Sequence, residues 1–126
     1  MKVILDSHAF LWAVSSPEKL SGKVRTFLEE DKGALLSAAS LWEICIKVRT
    51  GKLSMAKPEA WLERAVKDLH VTVLPIRANH AIGTLSLPDH HRDPFDRIIV
   101  SQAIEERAAI ATMDERIKHY AVDIFW

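Results

Sequence analysis

The sequence predicts an α/β fold, a three-layer sandwich in which a mainly parallel central sheet is flanked by helices. Short, wholly apolar runs bounded by polar or turn residues recur along the chain, as strands buried on both faces require. Between them lie segments with apolar residues three and four apart, the spacing of amphipathic helices. The two kinds alternate from beginning to end, which is how a sheet with crossover helices reads. With 126 residues the chain is expected to form one domain, residues 1–126, large enough to bury a real core.

Val3-Ile4-Leu5 reads as the first strand. After Asp6-Ser7-His8 comes a short helix from Ala9 to Val14, then a turn at Ser15-Ser16-Pro17. Ser21 caps a second helix over 22–30, with Val24, Phe27 and Leu28 inward, and Gly33 stops it. Residues 34–37, Ala-Leu-Leu-Ser, form the second strand. A third helix over 39–50 turns Leu41, Ile44, Cys45 and Val48 inward and closes at Gly51. Pro58 opens a fourth helix reaching Leu69, with Trp61, Leu62, Ala65, Val66 and Leu69 facing the core. Residues 71–74 are the third strand, ended by Pro75.

Asn79 to Leu85 reads as helical, and Leu87-Pro88 breaks it. The polar stretch His90-His91-Arg92-Asp93 then passes into a helix running to about Arg107. Pro94 suits the first helical position, where its missing N–H costs nothing, so Asp93 is the N-cap and Asp96 falls in the first turn. Asp96 shares a helical row with Ile99, Val100 and Ala103 and so heads an apolar stripe. Residues 109–112 form the fourth strand, a short helix spans 115–120, and a last strand covers 122–125. The pattern leaves the strand order open.

Hydrophobic residues make up 48% and charged residues 27%, a balance that fits a globular protein and excludes a disordered one. The 17 basic side chains match the 17 acidic ones, so polyanion binding has to come from a local patch rather than a global field. A single cysteine, Cys45, excludes an intramolecular disulfide and a Cys-rich zinc site and suits a reducing compartment. The opening apolar run is broken by Asp6 and His8, unlike a signal peptide, and no run approaches membrane-spanning length. A cytoplasmic location with no membrane partner is expected.

In a parallel sheet the working crevice lies beyond the carboxyl ends of the strands. Asp6 follows the first strand and Asp114 the fourth. Asp96 starts the helix that feeds the fourth strand, and Glu43 lies near the start of the helix after the second. Four acids from four segments therefore converge at one rim. Such a cluster either binds protons or holds a cation. Carboxylate oxygens without thiolate select a hard ion, Mg²⁺ or Mn²⁺, suited to phosphodiester hydrolysis. There is no phosphate-binding glycine loop and no Gly-x-Ser-x-Gly elbow.

Each acid also has a plain structural role open to it. Glu43 follows Ser40 at capping-box spacing and precedes Lys47 by one turn; Asp6 and Asp114 stand where they would cap the helices after them. Lys47, Arg49 and Lys52, with His90, His91, Arg92 and Arg97 across the crevice, form a candidate phosphate-binding patch. Adjacent His90 and His91 do not readily face one ion, and surface, substrate-side or structural roles fit them better than ligation. Trp12, Trp42, Trp61 and Trp126 are expected in core or interface rather than stacked on bases.

The blocks Leu5-Asp6-Ser7-His8, Ser40-Leu41-Trp42-Glu43-Ile44, Gly51-Lys52-Leu53, His91-Arg92-Asp93-Pro94-Phe95-Asp96-Arg97 and Thr112-Met113-Asp114 together resemble the PIN-domain family. They are most similar to its VapC-type toxins of toxin–antitoxin pairs, across essentially the whole chain. The resemblance implies a PIN-like Mg²⁺- or Mn²⁺-dependent ribonuclease whose catalytic acids fall on Asp6, Glu43, Asp96 and Asp114, with Asp6 and Asp96 as direct metal ligands. Thr112 matches a polar position of the family beside the last acid and is expected, with Lys47, Arg92 and Arg97, on the substrate-binding side. It further implies an RNA substrate, a VapB-like antitoxin partner, a homodimer and a toxin–antitoxin hetero-oligomer. Ser7 stands where threonine is frequent, and the last block lacks the Asn-Asp pairing of many members. Two other classes stay open: a non-catalytic RNA-binding module, and a His/Asp metal phosphohydrolase using His90 or His91.

Overall fold

The computed structural model describes residues 1–30 and 33–126. Four strands, β1 (Val3–Leu5), β2 (Ala34–Ser37), β3 (Thr72–Leu74) and β4 (Ala109–Ala111), form one sheet in the order β3-β2-β1-β4, every pair parallel. Its register sets Val3 beside both Ala34 and Ala109, so β1 is central and has a partner on each edge. Among the described residues six helices flank the sheet: α1 (Ser7–Ser15), α2 (Gly22–Glu30), α3 (Ala38–Arg49), α4 (Pro58–Asp68), α5 (Ala78–Gly83) and α6 (Pro94–Glu106).

The alternation of side chains along β1 sorts the core into two layers. Val3 and Leu5 face one way, with Phe10, Val24, Phe27, Ile44 and Leu62 from α1 to α4. Ile4 faces the other way, with Ile99, Val100 and Ala103 from α6 and with Ile110 and Ile117. All three β1 side chains are fully buried, which is why that strand shows no polar alternation.

Chain order runs outward from β1 through β2 to β3, then returns across the sheet to β4. The topology therefore reverses between β1 and β4, where open parallel sheets carry their ligand crevice. Asp6 leaves the end of β1, and Asp6 N donates to Ala111 O at the end of β4. α6 packs against α5, and its N-terminus comes to the same rim. Gly83 allows that close approach, since a Cβ there would lie 2.6 Å from Ser101 Oγ.

Several element boundaries differ from expectation, each for a local reason. The first helix starts at Ser7, two residues early, because Asp6 caps it by accepting Ala9 N–H at 2.7 Å. The third helix is capped by Ser37, which accepts from Ala39 N at 3.1 Å. Ser40 thus lies inside the helix, its hydroxyl buried without a partner, and the Ser40–Glu43 capping box does not form. Cys45, expected inward, is exposed. The helix after β3 is shorter than expected and relaxes into a 3₁₀ turn at Thr84–Ser86, and residues 115–120 contribute only a 3₁₀ turn at Ile117–His119.

The expected last strand over 122–125 is reduced to a single parallel bridge between Ile110 and Ile124. A tight turn in which Val122 N donates to Tyr120 O leaves only two ladder bonds, Ile110 N to Asp123 O and Phe125 N to Ile110 O. Helix α6 ends on Arg107 at φ 53°, a left-handed position usually given to glycine. The expected stop of α2 at Gly33 turns on residues 31–32, which lie outside the described residues.

Candidate acidic active site

One cavity of about 120 Å³ at the β1/β4 rim is lined by Asp6, Ser7, His8, Glu43, Lys47, Asp93, Asp96, Asp114 and Arg116. The four acids read from the sequence all face it, with Asp93 as a fifth. Each is fixed by its own segment. Asp6 is held at the turn from β1 into α1. Asp93 caps α6 by accepting Phe95 N–H at 2.8 Å, which sets the first turn of that helix and so the direction of Asp96. Asp114 Oδ1 accepts Arg116 N–H at 2.9 Å and closes the turn after β4. Glu43 is buried; its Oε1 takes the Ser7 hydroxyl at 2.5 Å and its Oε2 lies 3.5 Å from Lys47 Nζ.

Thr112 was expected on the substrate side. It is instead fully buried, its hydroxyl accepting Asp114 N–H at 3.0 Å and donating to Asp6. It orients two acids from beneath and is out of reach of a substrate. Arg97, expected to bind phosphate, spends its guanidinium on the loop before α6: Nη1 reaches Pro88 O, His91 O and the Tyr120 hydroxyl, and Nη2 reaches Thr84 O and Leu87 O. Its role is to shape residues 84–91. Arg92 is exposed and does not line the cavity, whereas Lys47 does.

Three side chains hold the acids in ways that the sequence does not disclose. His91 is 4% exposed and sits between two of the acids, with Nε2 2.9 Å from Asp96 Oδ2 and 3.1 Å from Asp114 Oδ2. Nothing in the pair His90-His91 says which ring turns inward; His90 packs outside on Tyr120 and His119. Arg116 reaches Asp114 with Nη2 at 3.2 Å, and the Asp-x-Arg spacing was its only signal. Ser7 stands in the sequence as a serine where threonine is frequent, and its grip on Glu43 spans 36 residues of chain.

The electrostatics are those of a site with too much negative charge. Burial pushes the Asp6 carboxyl above its ordinary range, against the pull of Thr112, Ala9 N–H and His8. Burial, together with the charges of Asp93, Glu43 and Asp114, pushes Asp96 up to about 7 despite the opposing influence of His91. Burial also acts to raise Asp114, but its hydrogen bonds from the Arg116 side chain, Arg116 N–H and His91 outweigh that and hold it below the usual carboxylate range. A divalent cation would relieve what the protein's own cations leave uncompensated. The donor set, oxygen-rich and free of thiolate, fits a hard ion.

A second, mainly apolar groove of about 730 Å³ lies between α3 and α4, lined by Leu41, Cys45, Val48, Leu62 and Val66 and edged by Arg49, Glu59 and Glu63. Among the described residues no helix is long and apolar enough to cross a membrane.

Residues 3–123 match the family model of the PIN domain. The chain is 28% identical over 120 residues to Ribonuclease VapC22 of Mycobacterium tuberculosis (strain ATCC 25618 / H37Rv), covering 94% of this chain and 91% of that one. The DNA-bound VapBC structure from Salmonella typhimurium superposes with a TM-score of 0.72 at 19% identity, covering 98% and 96% of the two chains. A toxin–antitoxin complex from Klebsiella pneumoniae gives a TM-score of 0.70 at 13% identity over 99% and 97%. At those identities the solved structures speak for the fold.

Proposed function

Because the chain belongs to the PIN-domain family, we propose that it is a metal-dependent endoribonuclease acting as the toxin of a toxin–antitoxin pair. The observation that carries the reading is the meeting of Asp6, Glu43, Asp96 and Asp114, from four separate segments, on one 120 Å³ cavity. The relative named as a ribonuclease supports the substrate class, and the neighbours named as toxin–antitoxin complexes support a VapB-like antitoxin as partner. A homodimer and a hetero-oligomer with that antitoxin belong to the same reading, as does a cytoplasmic location.

Asp6 and Asp96 would hold Mg²⁺ or Mn²⁺, with Asp114 beside them. When bound, the ion supplies Lewis acidity at a phosphodiester and eases deprotonation of water at the site. The remaining work falls to the chain itself. Lys47 stands at the rim as a cation for a backbone phosphate of RNA. Ser7 and Lys47 fix Glu43 from two sides, so that its carboxylate orients water at the wall of the pocket. Thr112 supports Asp6 from beneath and accepts the main-chain N–H of Asp114, tying the ends of β1 and β4 together below the pocket.

The test is cleavage of mixed RNAs by the purified chain, with Mg²⁺ or Mn²⁺ and with a chelator. Cleavage should vanish in chelator, return with added metal, and be absent from folded Asp96→Asn. Chelator-resistant cleavage, or full activity in that variant, rejects the assignment.

A further inference from the structure

The position of His91 carries a conclusion that the four acids do not. Its main chain is pinned: His91 N donates to the Tyr120 hydroxyl at 2.9 Å, and Arg97 Nη1 donates to His91 O at 3.3 Å. Its ring is pinned as well, because Asp93 N–H donates to Nδ1 at 3.2 Å. A backbone N–H can only donate, so Nδ1 presents its lone pair there and the ring proton sits on Nε2. That is the nitrogen lying 2.9 Å from Asp96 Oδ2 and 3.1 Å from Asp114 Oδ2. A nitrogen bearing a proton has no lone pair for a metal. His91 with Asp96 and Asp114 thus has the spacing of a ligand triad but the wrong tautomer for one.

We propose that His91 is a positioning residue of the pocket: its Nε2–H donates to Asp114 Oδ2, its ring fills the space between Asp114 and Asp96, and it does not ligate metal. The acids are thereby divided. Asp114 commits Oδ2 to the imidazole N–H and Asp96 Oδ2 lies 2.9 Å from the same nitrogen, so one ion is left to the oxygens that face Asp6. The site works with one metal ion, and the neutral N–H donor built into the loop before α6 occupies the space between the other two carboxylate oxygens. This also argues against a His/Asp phosphohydrolase that recruits the ring as a ligand. The inference rests on the nuclease reading for its meaning in catalysis, not for its atomic content.

Two measurements on the full chain test it. Nitrogen-15 NMR of the histidine rings, without metal and then saturated with Mg²⁺, should show Nε2 of His91 protonated throughout; loss of that proton on adding Mg²⁺ overturns the proposal. Calorimetric titration with Mn²⁺ should give one ion per chain for the unaltered protein and for His91→Gln, which keeps an N–H donor, and two for His91→Ala. A second ion already present in the unaltered protein, or none gained in His91→Ala, overturns it. So does a tenfold or greater loss of affinity for the first ion in His91→Ala, the mark of a lost ligand. Should His91→Ala fail to fold, the NMR arm decides alone. Neither arm reads RNA cleavage, so an inactive protein would count against the nuclease and leave this result standing.

Discussion

Asp96→Asn separates what the acidic pocket does for stability from what it does for chemistry. With its carboxyl pushed up to about 7, Asp96 in the metal-free protein keeps a proton that the unfolded chain, with an ordinary carboxyl near 3.8, has already released. The unfolded state then binds fewer protons across that window, so stability falls as pH rises from about 4 to about 7 and stays reduced above it. Three pH units correspond to about 4 kcal/mol at pH 8 and about 1 kcal/mol at pH 4.5. Asparagine removes this penalty, but its amide brings an –NH2 group into a largely buried position that must find acceptors, which costs roughly 1–2 kcal/mol at either pH. The net expectation is a gain of about 2 kcal/mol at pH 8, on the order of 5–10 °C in Tm, and no gain at pH 4.5. Thermal and urea unfolding in chelator at the two pH values measure it, each variant against the unaltered protein so that other titrating groups cancel. Saturating Mn²⁺ should reverse the ranking, since an ion at a hundred times its Kd stabilises only the protein that binds it, by about 2.7 kcal/mol. An Asn variant that is destabilised at pH 8, or equally stabilised at both pH values, would refute the account of Asp96 as an acid kept against the local field.

Other perturbations test the parts around it. Arg97→Ala should cost about 2–3 kcal/mol and speed amide exchange across residues 84–91, because five acceptors lose their donor, and Arg97→Lys should restore little since one ammonium cannot span them; a neutral Arg97→Ala would return the side chain to a phosphate-binding role. Gly83→Ala should lower Tm by forcing α5 away from Ser101 Oγ, and pairing it with Ser101→Ala should recover part of the loss, as a double-mutant cycle would show. Lys47→Ala should raise the KM for RNA and reduce the salt dependence of binding by about one unit of slope while leaving the fold intact, whereas an unchanged slope would remove Lys47 from the phosphate path.

The fold was legible wherever burial alone decides secondary structure. β1, β2 and β4 lie under helices on both faces, so their apolar runs stand out, and Pro58 and Pro94 mark helix starts by a rule needing no tertiary context. The segment 122–125 has the same composition as a strand, yet whether it pairs along its length depends on a turn at Tyr120–Val122 that local pattern does not encode. At the site, the acids could be placed because parallel topology fixes which strand ends share a rim. Side-chain commitment could not. Arg97 and Thr112 look available in sequence; one is taken up by carbonyls of a loop whose path depends on α5 and α6, the other is sealed beneath β4. His91 differs from His90 only in which way the loop turns, and that is set by Tyr120 and Arg97 from 29 and 6 residues away.

The structural and chemical roles of the acids need not compete, because a carboxylate has two oxygens. Asp6 gives Oδ1 to the first turn of α1, Asp93 gives Oδ1 to that of α6, Asp114 gives Oδ1 to the turn after β4, and Glu43 gives Oε1 to Ser7. In each case a donor on the chain fixes one oxygen and so aims the other. The two helix starts also bring the positive ends of their dipoles to the rim, which helps such a concentration of carboxylates to stand together before any ion arrives. Asp96 is the exception, since its Oδ2 meets only His91 and no hydrogen bond reaches its Oδ1 among the described residues. It is the acid least compensated by the scaffold, and its carboxyl is the one pushed furthest toward neutrality. By that logic Asp96 is the group whose affinity for a cation the fold has left highest. Of the four acids, its loss should weaken Mn²⁺ binding most, and a larger effect from Glu43→Gln would contradict this ordering.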